Sequence, residues 1–399
     1  MNIAFLTPEY VTESTFDGGL ANYLARVAEA LTKKGHHVEI FTLSDRDETI
    51  NHKGMMVHRI KIDGLLKKML NTISRRKVRR SIDVMLMADK FNKKFRQRNK
   101  QVNFDIVQQS SYLSPGWRVA REKQIPVVTR VSSFTPAWRA ASNQPTFLDD
   151  AIIDHLELIT MRESQGVYAP SRLMGEMVQA YEAVTVDQIF PPYFNNGVQE
   201  DRQLFEEKIK NIDYLLFFGT MSEIKGTNFI LKNIRKIMER NQDIHFIFIG
   251  KLIDKKKFDQ AVGEYQPRVH YWDAMKKEQL IPFVKNAKAV ILPSKLDNLP
   301  NTVLKSMSYG KVVITTKTSG FESIIESGKN GYLIDYGDDD QLCSTIHEIC
   351  QQRKEVLEEI GRQARITIDD KFSADKNVDQ LVAYYGRVID NWKRKSGKR

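Results

Sequence analysis

Short apolar runs alternate with longer amphipathic stretches along the whole of this 399-residue chain, and that alternation most constrains its fold. The rhythm is that of βαβ units, and so of parallel sheets with helices on both faces. Strands are expected at 3–6, 38–42, 57–62, 104–108, 126–130 and 166–169, then at 214–218, 245–249, 269–271, 289–292, 312–315 and 332–334. Helices are expected between them at 20–34, 81–99, 147–163 and 171–181, then at 227–240, 276–286, 301–309 and 339–350. Charged helical patterns close the chain from Glu355 to Trp392, ahead of a basic tail. Pro191-Pro192 and Asn195-Asn196-Gly197 interrupt the rhythm as strong loop signals. We therefore expect an α/β protein of two doubly wound, Rossmann-like domains facing across a deep cleft. Residues 1–192 would form the first and 193–372 the second, with a helix in 373–399 returning towards the first. Open α/β sheets bind ligands at the carboxyl ends of their strands, which would line that cleft.

The composition, 41% hydrophobic and 28% charged, is that of an ordinary globular chain. No apolar run approaches the roughly 20 residues that span a bilayer. The opening run at 2–7 is short and has no basic leader, so it reads as a first strand and the expected location is cytoplasmic. Cys343 and Cys350 lie seven apart on one helical pattern. Two cysteines are too few for a disulfide framework or a zinc site, and no metal is expected.

The net charge of +11 is concentrated. From Lys67 to Lys100 thirteen basic residues (Lys67, Lys68, Arg75, Arg76, Lys77, Arg79, Arg80, Lys90, Lys93, Lys94, Arg96, Arg98, Lys100) face only Asp83 and Asp89. Val84, Leu86, Met87, Phe91 and Phe95 interleave with the cations. Two readings stand: an amphipathic helix resting on an anionic membrane, or a solvated face whose apolar side packs into its domain. No helix-turn-helix, zinc or RNA-binding signature accompanies the charge, so no nucleic-acid partner is expected.

Three loops carry chemistry. Gly18-Gly19 precedes a helix start, where amides can face a phosphate, unless the loop is a plain strand-to-helix connection. Gly219 to Gly226 follows a strand and carries Lys225 just before its last glycine, a point charge suited to a diphosphate or simply a surface lysine. Residues 293–310 follow another strand and open a helix near Asn301. Asn298 and Asn301 can cap that helix, Pro300 suits its first turn, and Asp297 and Lys305 lie eight apart. Ser319-Gly320-Phe321-Glu322 then places an acid at the next strand end.

With these motifs in hand, the chain resembles GT-B retaining glycosyltransferases of family 4, nearly end to end. Pro8-Glu9-Tyr10 with Gly18-Gly19 is similar to that family's entry loop, and Tyr168-Ala-Pro-Ser171 to its late first-domain turn. Gly219 to Gly226 resembles its phosphate loop. Asp297-Asn-Leu-Pro-Asn-Thr302, with Phe321-Glu322 and Gly328-Lys-Asn-Gly331, resembles the donor signature of members that elongate cell-surface polysaccharides.

The resemblance implies a hexosyltransferase acting with retention and without metal. Its donor would be a nucleotide sugar carrying UDP or GDP, and its acceptor a glycan or a lipid-linked acceptor. It implies that Gly19 and Lys225 meet the diphosphate, with Gly18, Gly219, Thr220 and the amides of Leu299, Pro300, Asn301 and Thr302 around it. Asp297 would hold sugar hydroxyls, making Asp297 and Lys225 the catalytic pair, and Asn298 and Glu322 would complete the pocket. Three positions depart from the pattern: Thr220 replaces an arginine, Ser132 a histidine, and Lys305 the acid that accepts ribose hydroxyls. An ammonium has no acceptor to offer a ribose. Lys305 therefore either pairs with phosphate, or the chain is a catalytically degenerate binding or scaffold subunit. Arg130 is a further cation for a diphosphate or an anionic acceptor, or else a salt-bridged structural residue.

Overall fold

A computed structural model describes residues 1–13, 18–62, 78–193, 198–209 and 212–397. The chain packs as two compact units, one of Met1–Pro192 with Ala374–Arg399, the other of Tyr193–Ser373.

Unit 1 is built on an eight-stranded sheet in the order β3-β4-β2-β1-β5-β6-β7-β8. Its strands are β1 (Asn2–Thr7), β2 (His37–Ser44), β3 (Glu48–His52), β4 (Met55–Lys61), β5 (Ile106–Ser110), β6 (Val127–Arg130), β7 (Gly166–Ala169) and β8 (Asp187–Gln188). All pairs are parallel except the edge strand β3, which runs antiparallel to β4. β3 and β8 escape the sequence reading because Glu-Thr-Ile-Asn-His and Asp-Gln contain no apolar run. The helices are α1 (Gly19–Lys33), α2 (Arg79–Val102), α3 (Trp117–Glu122), α4 (Thr135–Ala141), α5 (Leu148–Glu163) and α6 (Arg172–Gln179). β1 has β2 on one side and β5 on the other, so the winding reverses at the carboxyl ends of β1 and β5.

α2 decides between the two readings of its apolar face. Val84, Met87, Phe91 and Phe95 are buried in the core of unit 1 with Phe41, Phe104 and Trp117. That face is part of the fold, so it does not rest on a bilayer. Arg98 pairs with the buried Glu39, and Arg80 with Asp150. Lys93, Arg96 and Lys100 remain exposed. Lys67, Lys68, Arg75, Arg76 and Lys77 lie outside the described residues.

Unit 2 has a six-stranded, wholly parallel sheet in the order β11-β10-β9-β12-β13-β14. Its strands are β9 (Tyr214–Phe218), β10 (His245–Ile249), β11 (Val269–Trp272), β12 (Ala289–Leu292), β13 (Val313–Thr316) and β14 (Tyr332–Ile334). Its helices are α7 (Gln203–Ile209), α8 (Thr227–Arg240), α9 (Lys255–Val262), α10 (Lys277–Asn286), α11 (Asn301–Ser308), α12 (Asp339–Gln351) and α13 (Lys354–Lys371). Most positions in these strands are apolar and buried, as in a parallel sheet covered on both faces. Cys343 is buried on α12, Cys350 is half-buried, and both are free thiols. The last helix, α14 (Ala374–Ser396), belongs to unit 1 and packs along α1. Among the described residues no helix is long and apolar enough to cross a membrane.

Candidate active site

In unit 2, β9, β12 and β13 are neighbours, so the loops that leave their carboxyl ends lie side by side. Hydrogen bonds and close packing knit them into one surface. The Lys295 amide donates to Ile224 O at 2.8 Å, the Asp297 amide to Thr318 O at 2.9 Å, and the Leu299 amide to Ser319 O at 3.1 Å. Gly226 has φ +81°, and a Cβ there would stand 1.9 Å from Pro293 O, so only glycine lets the first loop close on the second.

The two residues expected to be catalytic meet across this surface. Lys225 Nζ donates to Asp297 Oδ2 at 2.6 Å. Ser294 Oγ donates to the same oxygen at 3.2 Å, and the Asn298 amide to Asp297 Oδ1 at 2.9 Å. Asp297 is only 5% exposed. Its carboxylate is thus directed to protein donors rather than to a sugar, and it fixes the Lys225 ammonium.

Two expectations in the second loop change. Pro300, and not Asn298 or Asn301, occupies the N-cap of α11, and the proline side chain makes no cap hydrogen bond. Leu299 adopts φ +54°, which aims its amide back at Ser319 O, and proline has no N–H. Neither Leu299 nor Pro300 can therefore offer an amide to a phosphate. The Thr302 amide makes no hydrogen bond among the described residues, and the Thr302 methyl lies 3.7 Å from where a Gly219 Cβ would be. The start of α11 thus abuts Gly219. The Gly219 amide itself continues the sheet, donating to Ile249 O at 2.9 Å, while Thr220 is exposed. Glu322 is half-buried behind the fully buried Phe321.

Lys305 projects from α11 one turn beyond Thr302, its Nζ 5.9 Å from the centre of the Phe218 ring. Among the described residues its ammonium forms no ion pair and no hydrogen bond. Burial, reinforced by Lys277 and opposed by Glu278, pushes its pKa down to about 8. The ammonium is therefore destabilised, and an arriving anion would relieve it.

Unit 1 presents a second cation of this kind. Arg130, the last residue of β6, is 7% exposed, and its guanidinium makes no ion pair or hydrogen bond among the described residues. The guanidinium stacks on Tyr23 of α1, 3.6 Å from the ring centre. Such stacking is worth about 2 kcal/mol when desolvated, whereas burying an ion costs several. The salt-bridged structural reading of Arg130 does not hold. Beneath it, Tyr23 and Tyr168 share a hydrogen bond of 2.9 Å, and Tyr168 and Tyr385 both donate to Gln108 Oε1. Neither Tyr23 nor Gln108 is marked by any motif; Tyr23 lies one helical turn after Gly19, the only sequence clue to it. Gly18 is the N-cap of α1 and Gly19 its first residue, with no side-chain cap and no acid in the first turn. Ser132 follows β6, its amide donating to Ser111 Oγ at 3.2 Å.

Comparison with known proteins agrees with this arrangement. Residues 17–189 match the family described as Glycosyltransferase Family 4, and residues 212–352 match Glycosyl transferases group 1. Spore coat protein SA of Bacillus subtilis (strain 168) is 24% identical over 404 residues, covering 96% of this chain and 99% of that one. Sucrose-phosphate synthase from Thermosynechococcus elongatus superposes with a TM-score of 0.77 at 16% identity, over 98% of this chain and 100% of that one. HepE of Anabaena, solved with UDP and glucose, gives 0.71 at 15% identity, over 97% and 99%. The structural likeness establishes the GT-B fold, and the family matches establish a glycosyltransferase. With both units so matched, the chain belongs to the GT-B glycosyltransferases of family 4.

Proposed function

We propose that this glycosyltransferase takes a sugar from a nucleotide-sugar donor held by unit 2 and passes it, with retention, to a glycan or lipid-linked acceptor. The observation that carries the reading is Lys305, a half-buried ammonium that pairs with no carboxylate among the described residues, beside the start of α11 and the Gly219 loop. A leaving diphosphate is the ligand that such a site suits. As the bond from the anomeric carbon to the diphosphate breaks, negative charge grows on the leaving oxygens. Lys305, the Thr302 amide and Lys225 stabilise that charge by fixed electrostatics, which in most enzymes contributes more to the rate than any other effect. The acceptor oxygen attacks on the same face, and its proton passes to the leaving phosphate, so no protein base is required. Asp297 acts as a positioning residue that orients Lys225. HepE, of the same fold and solved with UDP, supports a uridine nucleotide as the first donor to try. A lipid-linked acceptor would bring the exposed Lys93, Arg96 and Lys100 of α2 towards anionic headgroups.

The test is a panel of UDP- and GDP-sugars, followed by calorimetry for binding and by release of the free nucleotide for turnover. One donor class should bind and be slowly hydrolysed. If no nucleotide sugar is bound or cleaved, the reading fails.

A further inference from the structure

We propose that unit 1 carries an oxyanion site of its own, in which Arg130 recognises a phosphate-type group on the acceptor. Arginine stays ionised at any pH a protein survives, so a buried guanidinium must find its counter-charge in the protein or in a ligand. No carboxylate among the described residues supplies one. Glu9 lies beside the helix start, its Oε2 3.1 Å from where a Gly18 Cβ would be. Yet it makes no ion pair with Arg130, and burial raises its pKa. Arg130 lines a cavity of about 10 Å³ with Thr7, Leu20, Tyr23, Gln109 and Ser110, room for one oxygen-sized group. The cavity sits at the carboxyl ends of β1, β5 and β6, where the winding of the sheet reverses. Leu20 brings the first turn of α1 to the same place, and that turn has no side-chain cap and no acid of its own, with the Glu9 carboxylate standing beside its N-cap.

The nearby hydroxyls are already committed to the protein. Thr7 Oγ1 donates to Glu9 O at 2.9 Å and Ser110 Oγ to Tyr112 O at 3.0 Å. That leaves the guanidinium as the recognising group, and its planar fork suits phosphate oxygens. The assignment to the acceptor, rather than to the donor, rests on the function proposed above. There Lys225, Lys305 and Thr302 already serve the donor's diphosphate, so a further buried cation in the other unit matches a second anion.

The experiment titrates inorganic phosphate into UDP-saturated protein, with Arg130→Gln and Arg130→Lys alongside. Wild type should bind phosphate, Arg130→Gln should lose at least tenfold in affinity, and Arg130→Lys should keep part of it. UDP affinity should stay within twofold in both variants. Without phosphate, Arg130→Gln should melt no lower than wild type, since it removes an unmatched charge; this separates loss of a site from loss of the fold. Should UDP fail to bind at all, the donor reading falls. The phosphate comparison is then made in a Lys305→Gln background, where the other lone cation is gone. Phosphate binding that is unchanged in Arg130→Gln overturns the site. A tenfold loss of UDP affinity overturns the acceptor assignment and gives Arg130 to the donor.

Discussion

Lys225 in unit 2 and Arg130 in unit 1 both stand at the carboxyl edge of a parallel sheet, yet they are held in opposite ways. Lys225 is neutralised by Asp297 at 2.6 Å, and the pair ties two loops together. Among the described residues Arg130 has only the Tyr23 face to rest on. Lys305 sits in the same unit as Lys225 but resembles Arg130: it is half-buried and unmatched among the described residues. A matched cation maintains the shape of the site, and an anion arriving there must share it with a carboxylate. An unmatched cation weakens the empty protein and is relieved when a ligand arrives. The difference separates residues that shape this molecule from residues that await a partner.

Breaking the matched pair should have the largest effect. Lys225→Ala leaves the buried Asp297 without its ammonium and should cost about 3 kcal/mol in chemical denaturation, with UDP affinity falling about a hundredfold. Asp297→Asn keeps the packing and should cost about 1 kcal/mol, because the Lys225 side chain is 34% exposed and can rehydrate. A double-mutant cycle that shows no coupling between the two would contradict the pairing.

The unmatched lysine should respond the other way. Lys305→Met should raise stability by about 2 kcal/mol while UDP affinity falls about tenfold, a trade between stability and function. If Lys305→Glu binds UDP more tightly than wild type, the position is a ribose site and the phosphate role is wrong.

The pH dependence follows from the depressed pKa of Lys305. Its value of about 8 lies below the ordinary lysine value of 10.5, so the folded chain releases this proton first as pH rises. Folding stability should therefore increase between about pH 8 and 10.5, with Lys311, also pushed down to about 8 by burial, contributing in the same sense. Anion binding favours the charged form, so UDP affinity should fall as pH rises through about 8, and Lys305→Gln should remove that step. The smallest effects belong to the exposed face of α2. Charge reversal at Lys93, Arg96 and Lys100 should shift stability by no more than about 0.5 kcal/mol. The same change should reduce pelleting with anionic vesicles at low salt, if that face meets a membrane.

The strands of unit 2 are legible in the sequence almost to the residue, because most of their positions are buried and apolar. Residues 214–218, 245–249 and 289–292 are runs of this kind. β3 is not legible, since an exposed edge strand needs no apolar pattern. The donor loops can be found from glycines, prolines and acids at strand ends. Their internal bonding cannot, because Lys225 and Asp297 lie 72 residues apart and meet only through the neighbouring positions of β9 and β12. The misread caps share one cause: local propensity favours asparagine at a helix start, but the contact of Leu299 with Ser319 moves the start onto Pro300. Arg130 is visible as a cation at a strand end. That it lacks a carboxylate is a property of every residue around it and emerges only once the chain is folded.

The most direct test of the donor site is a crystal structure of the protein with UDP. Lys305 Nζ should lie about 2.8 Å from a diphosphate oxygen, with the Thr302 amide on the same phosphate and Lys225 still bonded to Asp297. Lys305 facing the ribose, or turned away from a bound nucleotide, would contradict the account.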